Sequence, residues 1–294
     1  MTALEPLYTA AEMRTAEERH PGYPDTAGEL MERAGAAVAR EAMRAFPRAR
    51  RFGVVCGGGA NGGDGRIAAR VLREAGRDAM ETTEPEGFDV VVDALFGTGF
   101  HGAPRPEAAT LIERINASGA PVLAVDVPSG VDASTGEVAG AAVNATLTVT
   151  FHGRKVGVVV APGRFHAGRV VVCEIGLGDV DTAARGATDA ILRTVPRRAP
   201  HDSKYSAGAV LVVGGSPGMT GAAVLAATAA LRADAGYVTL AVPQESLPVV
   251  EALALEPVKR GFDWGDGVDM LRADSLRSNA LALGPGLGRT PEAH

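Results

Sequence analysis

The chain is short of cysteine, aromatic residues and positive charge. Its 294 residues include two cysteines (Cys56 and Cys173), one Trp, four Tyr and eight Phe. Two cysteines do not make a disulfide scaffold, and a reducing compartment fits. Cys56 ends an apolar run and reads as a small buried hydrophobe. The net charge is −6. Coating a duplex needs a basic surface, so nucleic acid is not an expected partner. No run approaches the ~20 apolar residues that span a bilayer. The opening residues lack the basic start and apolar stretch of a signal peptide. A cytoplasmic protein with no membrane partner is expected. The histidines and cysteines show no zinc-ligand spacing. No Gly-x4-Gly-Lys-Ser/Thr segment occurs, which excludes a P-loop.

Hydrophobic residues make up 46% and charged residues 22%, which is ordinary for a globular protein. At roughly 100–200 residues per domain, the length allows about two domains. Helical patterns cover 9–20 and 28–46, and Pro47 stops the second. Strand-like runs at 52–56, 88–95, 121–127, 146–151 and 170–175 follow, with helices expected at 66–76 and 107–118. Near-continuous apolar strands alternating with helices imply an α/β domain whose mostly parallel sheet is covered on both faces. Residues 179–202 are polar and weakly periodic, as a linker would be. A second α/β unit then starts with a strand at 209–213, a glycine loop, an Ala-rich helix at 222–235 and a strand at 237–242. The expected division is a domain over 1–185, a linker over 186–200 and an incomplete unit over 201–294.

Residues 57–62 satisfy Gly-x-Gly-x-x-Gly between a strand and a helix, with Asp78 and Glu81 near the spacing of a ribose contact. Asp64 argues against an ordinary NAD-dependent dehydrogenase. At a helix start its carboxylate would compete with a pyrophosphate for bare N–H groups. Simple helix capping is the plainer alternative. Asn61 follows the first strand, Asp93 lies within the second, and Asp126 and Ser129 follow the third, at the sheet edge where open parallel sheets bind ligands. Two carboxylates in one crevice repel unless one is protonated or a cation lies between them. Asn, Asp and Ser oxygens suit a hard ion, although each alone can merely cap a turn. The glycine loop 97–103 offers backbone N–H groups for an anion, and His101 in it is a base, a phosphate contact or only a loop residue. Residues 214–218 match Gly-x-Ser-x-Gly, but Pro217 lacks the N–H that an oxyanion hole needs.

Six segments together resemble NAD(P)H-hydrate epimerase over about residues 8–180: GELMERAG (28–35), ANGGDGRIAAR (60–70), VDALFGTGFHG (92–102), VDVPSGVDASTG (125–136), TVTFHGRKVG (148–157) and AGRVVVCEIGLG (167–178). From 201 to about 289, HDSKYSAG, VLVVGGSPGMTGAAVLAATAALRADAGYVTLAVP and ALALGPGLGR are similar to the start of the ADP-dependent NAD(P)H-hydrate dehydratase, a ribokinase-like domain. The resemblance implies a Rossmann-like three-layer αβα domain followed by a partial ribokinase-like α/β unit. It implies repair of hydrated nicotinamide nucleotides, NAD(P)HX, by epimerisation of their R and S forms. Ala60, Asn61, Gly62, Gly63 and Asp64, with Gly97, Thr98, Gly99, Phe100, His101, Gly102 and Ala103, would hold the nucleotide. Asp126 would meet the altered ring and carry catalysis, kept ionised by a nearby cation. Asn61, Asp93 and Ser129 would bind a potassium ion. A second, partial site would include Ala223 and Gly286. ADP and magnesium enter only with a complete dehydratase domain, and a homo-oligomer is left open. The family loop reads Asn-Asn-x-Gly-Asp, so Ala60 removes one amide contact. That departure keeps open a non-catalytic nucleotide-binding module of the same fold. The expected Lys after His201 is displaced to Lys204, and the later dehydratase elements are not in this sequence.

Overall fold

A computed structural model describes residues 4–195, 200–201, 203–204, 206–265 and 267–293. The chain forms two compact units, Met1–Thr194 and Val195–His294. The first contains β1 (Leu4–Leu7), α1 (Ala10–Glu18), α2 (Ala27–Ala45), β2 (Arg51–Cys56), α3 (Ala60–Glu74), β3 (Asp78–Glu81), β4 (Val90–Ala94), α4 (Pro106–Ala117), β5 (Val122–Val125), β6 (Leu147–Phe151), β7 (Arg169–Cys173) and β8 (Ala184–Ala187). Six strands form one sheet in the order β3-β2-β4-β5-β6-β7, with every neighbouring pair parallel.

The period-two pattern of the strands feeds both faces of this sheet. Phe52, Val54, Val90 and Val92 pack with Ala34, Val38 and Leu72 of α2 and α3. Val55 and Val91 pack on the other face with Ile112 and Ile115 of α4. The result is a three-layer αβα unit. Thr9 starts α1 through a capping box with Glu12: its backbone N–H donates to the Glu12 carboxylate at 2.7 Å, and its hydroxyl accepts from Glu12 N–H at 3.3 Å.

Three features differ from the sequence expectation. The glycine-rich stretch 57–65, between the expected strand and the helix expected at 66–76, is a loop only at its start, and α3 already begins at Ala60. Gly62 and Gly65 serve close packing inside this helix, not loop flexibility. A Cβ on Gly62 would lie 1.9 Å from the Gly57 carbonyl oxygen, and one on Gly65 would lie 2.5 Å from Ala94 Cβ. The glycines let the helix lie against the strand ends, so propensity was a poor guide to its start. Second, β3 lines the sheet edge, where DAME has too few apolar residues to read as a strand. Third, the stretch read as a linker contains β8, which pairs antiparallel with β1, Leu4 opposite Ala187 and Leu7 opposite Ala184. Residues 196–199 of the expected linker, with Arg197 and Arg198, lie outside the described residues, as do Asp202, Tyr205 and His294.

The second unit contains β9 (Ala209–Val213), α5 (Thr220–Arg232), β10 (Tyr237–Pro243), α6 (Leu247–Leu253), β11 (Val258–Phe262), α7 (Gly267–Leu276) and β12 (Ala280–Leu283). Its strands form a parallel sheet in the order β11-β10-β9-β12. α6, β11 and α7 were not anticipated from the sequence. β12 is an edge strand with Leu281 and Leu283 exposed.

Gly65→Ala should overpack the seam between α3 and the sheet. The expected loss is about 1–3 kcal/mol of stability, read as a lower denaturation midpoint of the full chain. An unchanged midpoint would contradict the packing role given to this glycine.

Candidate functional site

In the first sheet the chain proceeds from β2 outward to β3, then returns to place β4 on the other side of β2. This reversal makes a topological switch point, where loops diverge and leave a crevice. A cavity of about 740 Å³ opens there. The turn at Gly58 and Gly59, the start of α3, the loop from Leu95 to Ala103, and Asp126 after β5 all border it. α1 adds Ala10, Arg14 and Glu17.

The α3 N-terminus suits an anion. Its N-cap, Gly59, makes no side-chain cap, and no acidic residue occupies the first turn. The first N–H groups therefore point outward with the positive end of the helix dipole. Asp64 is the fifth helical residue, one turn deeper than the sequence expectation placed it. Burial, then the charges of Asp126 and Glu17, push its carboxyl up to about 8. The expected competition between an Asp64 carboxylate and a bound anion is thereby relieved.

Asn61, Asp93 and Ser129 meet around the backbone of Phe96. The Asn61 amide donates to the Phe96 carbonyl at 2.9 Å, and Phe96 N–H donates to the Ser129 hydroxyl oxygen at 2.9 Å. Asp93 is fully buried and accepts from the Ser129 hydroxyl at 2.6 Å and from Ser129 N–H at 2.8 Å. Burial pushes Asp93 up to about 6 against these hydrogen bonds. The set is rich in oxygen atoms, and among the described residues no cationic side chain pairs with its buried carboxylate. That chemistry fits a hard, oxygen-liking cation.

Asp126 has a different partner. Lys155 Nζ lies 2.6 Å from Asp126 Oδ1, and both residues are buried. Thr150 Oγ1 donates to the same carboxylate at 3.0 Å. Lys155 also donates to Thr150 Oγ1 at 3.0 Å and to the Phe151 carbonyl at 2.8 Å. The crevice that was expected to hold two repelling carboxylates instead satisfies them separately, Asp93 through Ser129 and Asp126 through Lys155. Asp126 adopts φ 66°, a left-handed conformation that Asp tolerates better than most residues.

Of the other residues expected to bind substrate, Ala60, Gly97, Thr98, Gly99, Phe100, His101 and Ala103 border the cavity. Gly62 and Gly63 do not: the first packs on Gly57 and the second against Met31 Sδ. Gly102 lies outside the lining and takes φ 74° in the exposed turn. His101 Nδ1 pairs with Asp132 Oδ2 at 2.8 Å. In the second unit Ala223 is fully buried beneath the glycine turn, and Gly286 takes φ 69° against the Met219 carbonyl. The Ser216 hydroxyl donates to the Leu287 carbonyl at 2.7 Å, a structural use that agrees with rejecting a nucleophile elbow.

Sequence reasoning missed Lys155, Arg14 and Glu17. Lys155 did carry a signal. The chain has three lysines among 29 basic residues, and Lys155 is the sole one before residue 204. A compact ammonium in a chain that otherwise uses arginine is an unusual choice, and the two side chains are not interchangeable in a tight polar site.

The fold and cleft define a doubly wound α/β unit with an open crevice at its sheet switch point. The profile described as YjeF-related protein N-terminus matches residues 27–81 and 77–157, and the profile of NAD(P)H-hydrate dehydratase matches residues 210–294. Bifunctional NAD(P)H-hydrate repair enzymes from Pyrobaculum aerophilum and Vibrio cholerae are 38% and 33% identical to it. The first match covers 88% of this chain and 60% of the relative, the second 100% and 67%. A relative from Moorella thermoacetica is 36% identical, with 97% of this chain and 64% of that protein covered. The chain belongs to the family of bifunctional NAD(P)H-hydrate repair enzymes. It spans about six-tenths of the length of the first of these relatives.

Two outcomes follow from the buried charges. Lys155→Met strands Asp126 without its partner and should cost about 3–5 kcal/mol of stability in denaturant titration. Asp64 holds its proton far more tightly folded than unfolded, where the ordinary value is 3.8. Its contribution is complete below about pH 4 and is lost as the pH rises through about 8. The denaturation midpoint should therefore decline from pH 6 to pH 9, and Asp64→Asn should make that decline shallower.

Proposed function

We propose that the first unit interconverts the R and S epimers of NAD(P)HX, the hydrated form of a reduced nicotinamide nucleotide. The observation that carries this reading is the buried Asp126–Lys155 pair at the rim of a nucleotide-sized cleft, in a chain of this family. The substrate bears a hydroxyl at C6 of the reduced ring. Epimerisation opens that C–O centre and re-forms it on the other face. Asp126, as the carboxylate of an ion pair, accepts a proton and stabilises the cationic ring intermediate. Lys155 and Thr150 fix its position. The α3 N-terminus and the glycine turn of the 97–103 loop hold the phosphates. Ala60 leaves the α3 entrance without the amide that the family pattern has there.

Asn61, Asp93 and Ser129, with the Phe96 carbonyl, would hold a potassium ion. That ion would supply positive charge beside the Asp93 carboxylate and fix the loop after β4. In this reading the second unit is the start of a dehydratase domain, for which ADP and magnesium belong to the complete domain. The reaction needs no nucleic acid or membrane partner. No helix among the described residues is long and apolar enough to cross a membrane, and the cytoplasm is the compartment proposed.

Asp126→Asn should retain the nucleotide and lose at least about 100-fold in turnover, followed as the ratio of the two epimers by chromatography. Replacing potassium with lithium should slow the wild-type reaction. Wild-type turnover in Asp126→Asn would remove this group from the chemistry. Binding of NAD(P)HX by the wild type without any change in epimer ratio would leave only a binding module.

A further inference from the structure

We propose that Asp64 is the acid of the epimerisation, and that Glu17, brought in by α1, is the positioning residue that keeps the acidic proton on it. This proposal rests on the epimerase reading of the cleft.

Three carboxyl groups border the one cavity: Glu17, Asp64 and Asp126. One buried ammonium serves them, and it is committed. Lys155 gives its bonds to Asp126, Thr150 and the Phe151 carbonyl. Among the described residues, neither the Glu17 nor the Asp64 side chain has a hydrogen-bond or ion-pair partner. The charged groups that act on Glu17 are Asp126, Lys155, Arg14 and Glu18; those that act on Asp64 are Asp126, Glu17 and Lys155. Three like charges meet one committed ammonium in a partly dry cleft, and the Arg14 guanidinium offsets Glu17 but not Asp64; a carboxyl group so placed retains its proton. Asp64 is the more buried of the two unpaired groups and is pushed the further; Glu17 is raised as well, chiefly by burial.

The chemistry requires such a group. Asp126 is committed as a carboxylate and can accept a proton but has none to give. The ring hydroxyl leaves as water only after gaining a proton. In the proposed step the Asp64 O–H bond breaks and its proton passes to the hydroxyl oxygen. The C–O bond then breaks with its electron pair leaving on water, while the ring-nitrogen lone pair forms the C=N bond of an iminium. On return, water attacks the opposite face, the C=N pair goes back to nitrogen, and the surplus proton moves to Asp126 and on to Asp64. Atoms and charge balance without any oxidant or reductant. Two groups with opposite proton loads in one cleft are the arrangement that acid–base pairs require.

The test uses the full chain with a single purified epimer of NADPHX, following kcat for epimer interconversion from pH 6 to pH 9.5. Wild-type kcat should fall along an alkaline limb as Asp64 loses its proton. Asp64→Asn should lower kcat at least about 100-fold, with the Kd for the hydrated nucleotide kept within threefold. Glu17→Gln removes a neighbouring negative charge and should move the limb down by about one pH unit. A purely structural role for Glu17 would lower kcat equally at every pH, and Glu17→Asp should restore the limb in part. Wild-type kcat in Asp64→Asn, or an unmoved limb in Glu17→Gln, overturns the proposal while the epimerase reading stands. A wild-type chain inert toward both epimers overturns the epimerase reading, and this proposal with it.

Discussion

The contact on which the cleft depends is the buried ion pair between Lys155 and Asp126. Removing two charges from water costs several kcal/mol per ion, and their attraction offsets this only when further hydrogen bonds satisfy both groups. Here they do. Thr150 bonds both partners, the Phe151 carbonyl takes the third ammonium proton, and Asp126 N–H donates to the Val149 carbonyl at 2.7 Å. Three consecutive residues of β6 and its end thus hold the pair. The left-handed backbone at Asp126 is a local cost of about 1–3 kcal/mol that this network sustains. Strained positions of this kind cluster where side chains must be aimed, and Asp126 fits that pattern.

The same pair reaches the N-terminal segment. Tyr8 N–H donates to the Arg154 carbonyl, and Val156 N–H donates to the Tyr8 carbonyl. The backbone on both sides of Lys155 is therefore clamped to the residue that precedes α1. Arg14 and Glu17 are placed at the cavity through that clamp, far in sequence from the strand ends that supply the rest of the site. Along the rim, carboxyl chemistry diverges by environment. Asp93 is surrounded by donors, Asp126 by a cation and a hydroxyl, and Asp64 by neither. Burial raises both Asp93 and Asp64, and hydrogen bonds hold Asp93 back where Asp64 has none.

Much of the α/β order was readable because the parallel strands are near-continuous apolar runs. β2, β4, β5, β6, β9 and β10 announce themselves through Val, Leu and Phe. β1, β3 and β8 do not, since their four-residue lengths and mixed polarity carry no period. The clustering of Asn61, Asp93 and Ser129 followed from their place at the C-terminal ends of strands in one parallel sheet. The start of α3 was misplaced because glycine is a helix breaker by propensity and a spacer by packing, and the sequence alone does not distinguish the two. Glu17 was invisible for a different reason. On a short charged helix an acidic residue reads as solvated surface until tertiary structure turns it toward a cavity. Lys155 was hidden by the habit of treating lysine as exposed, although its rarity in this chain marked it.

The pairing of β1 with β8 has a consequence for how the molecule is made. Residues near the start wait for partners more than 170 positions later. A nascent chain emerging from the ribosome can assemble the central parallel strands first, yet the wall carrying Arg14 and Glu17 lacks its antiparallel clasp until residue 187 is free. The cleft wall built on α1 therefore gains this clasp only after every strand of the first unit's parallel sheet has been made.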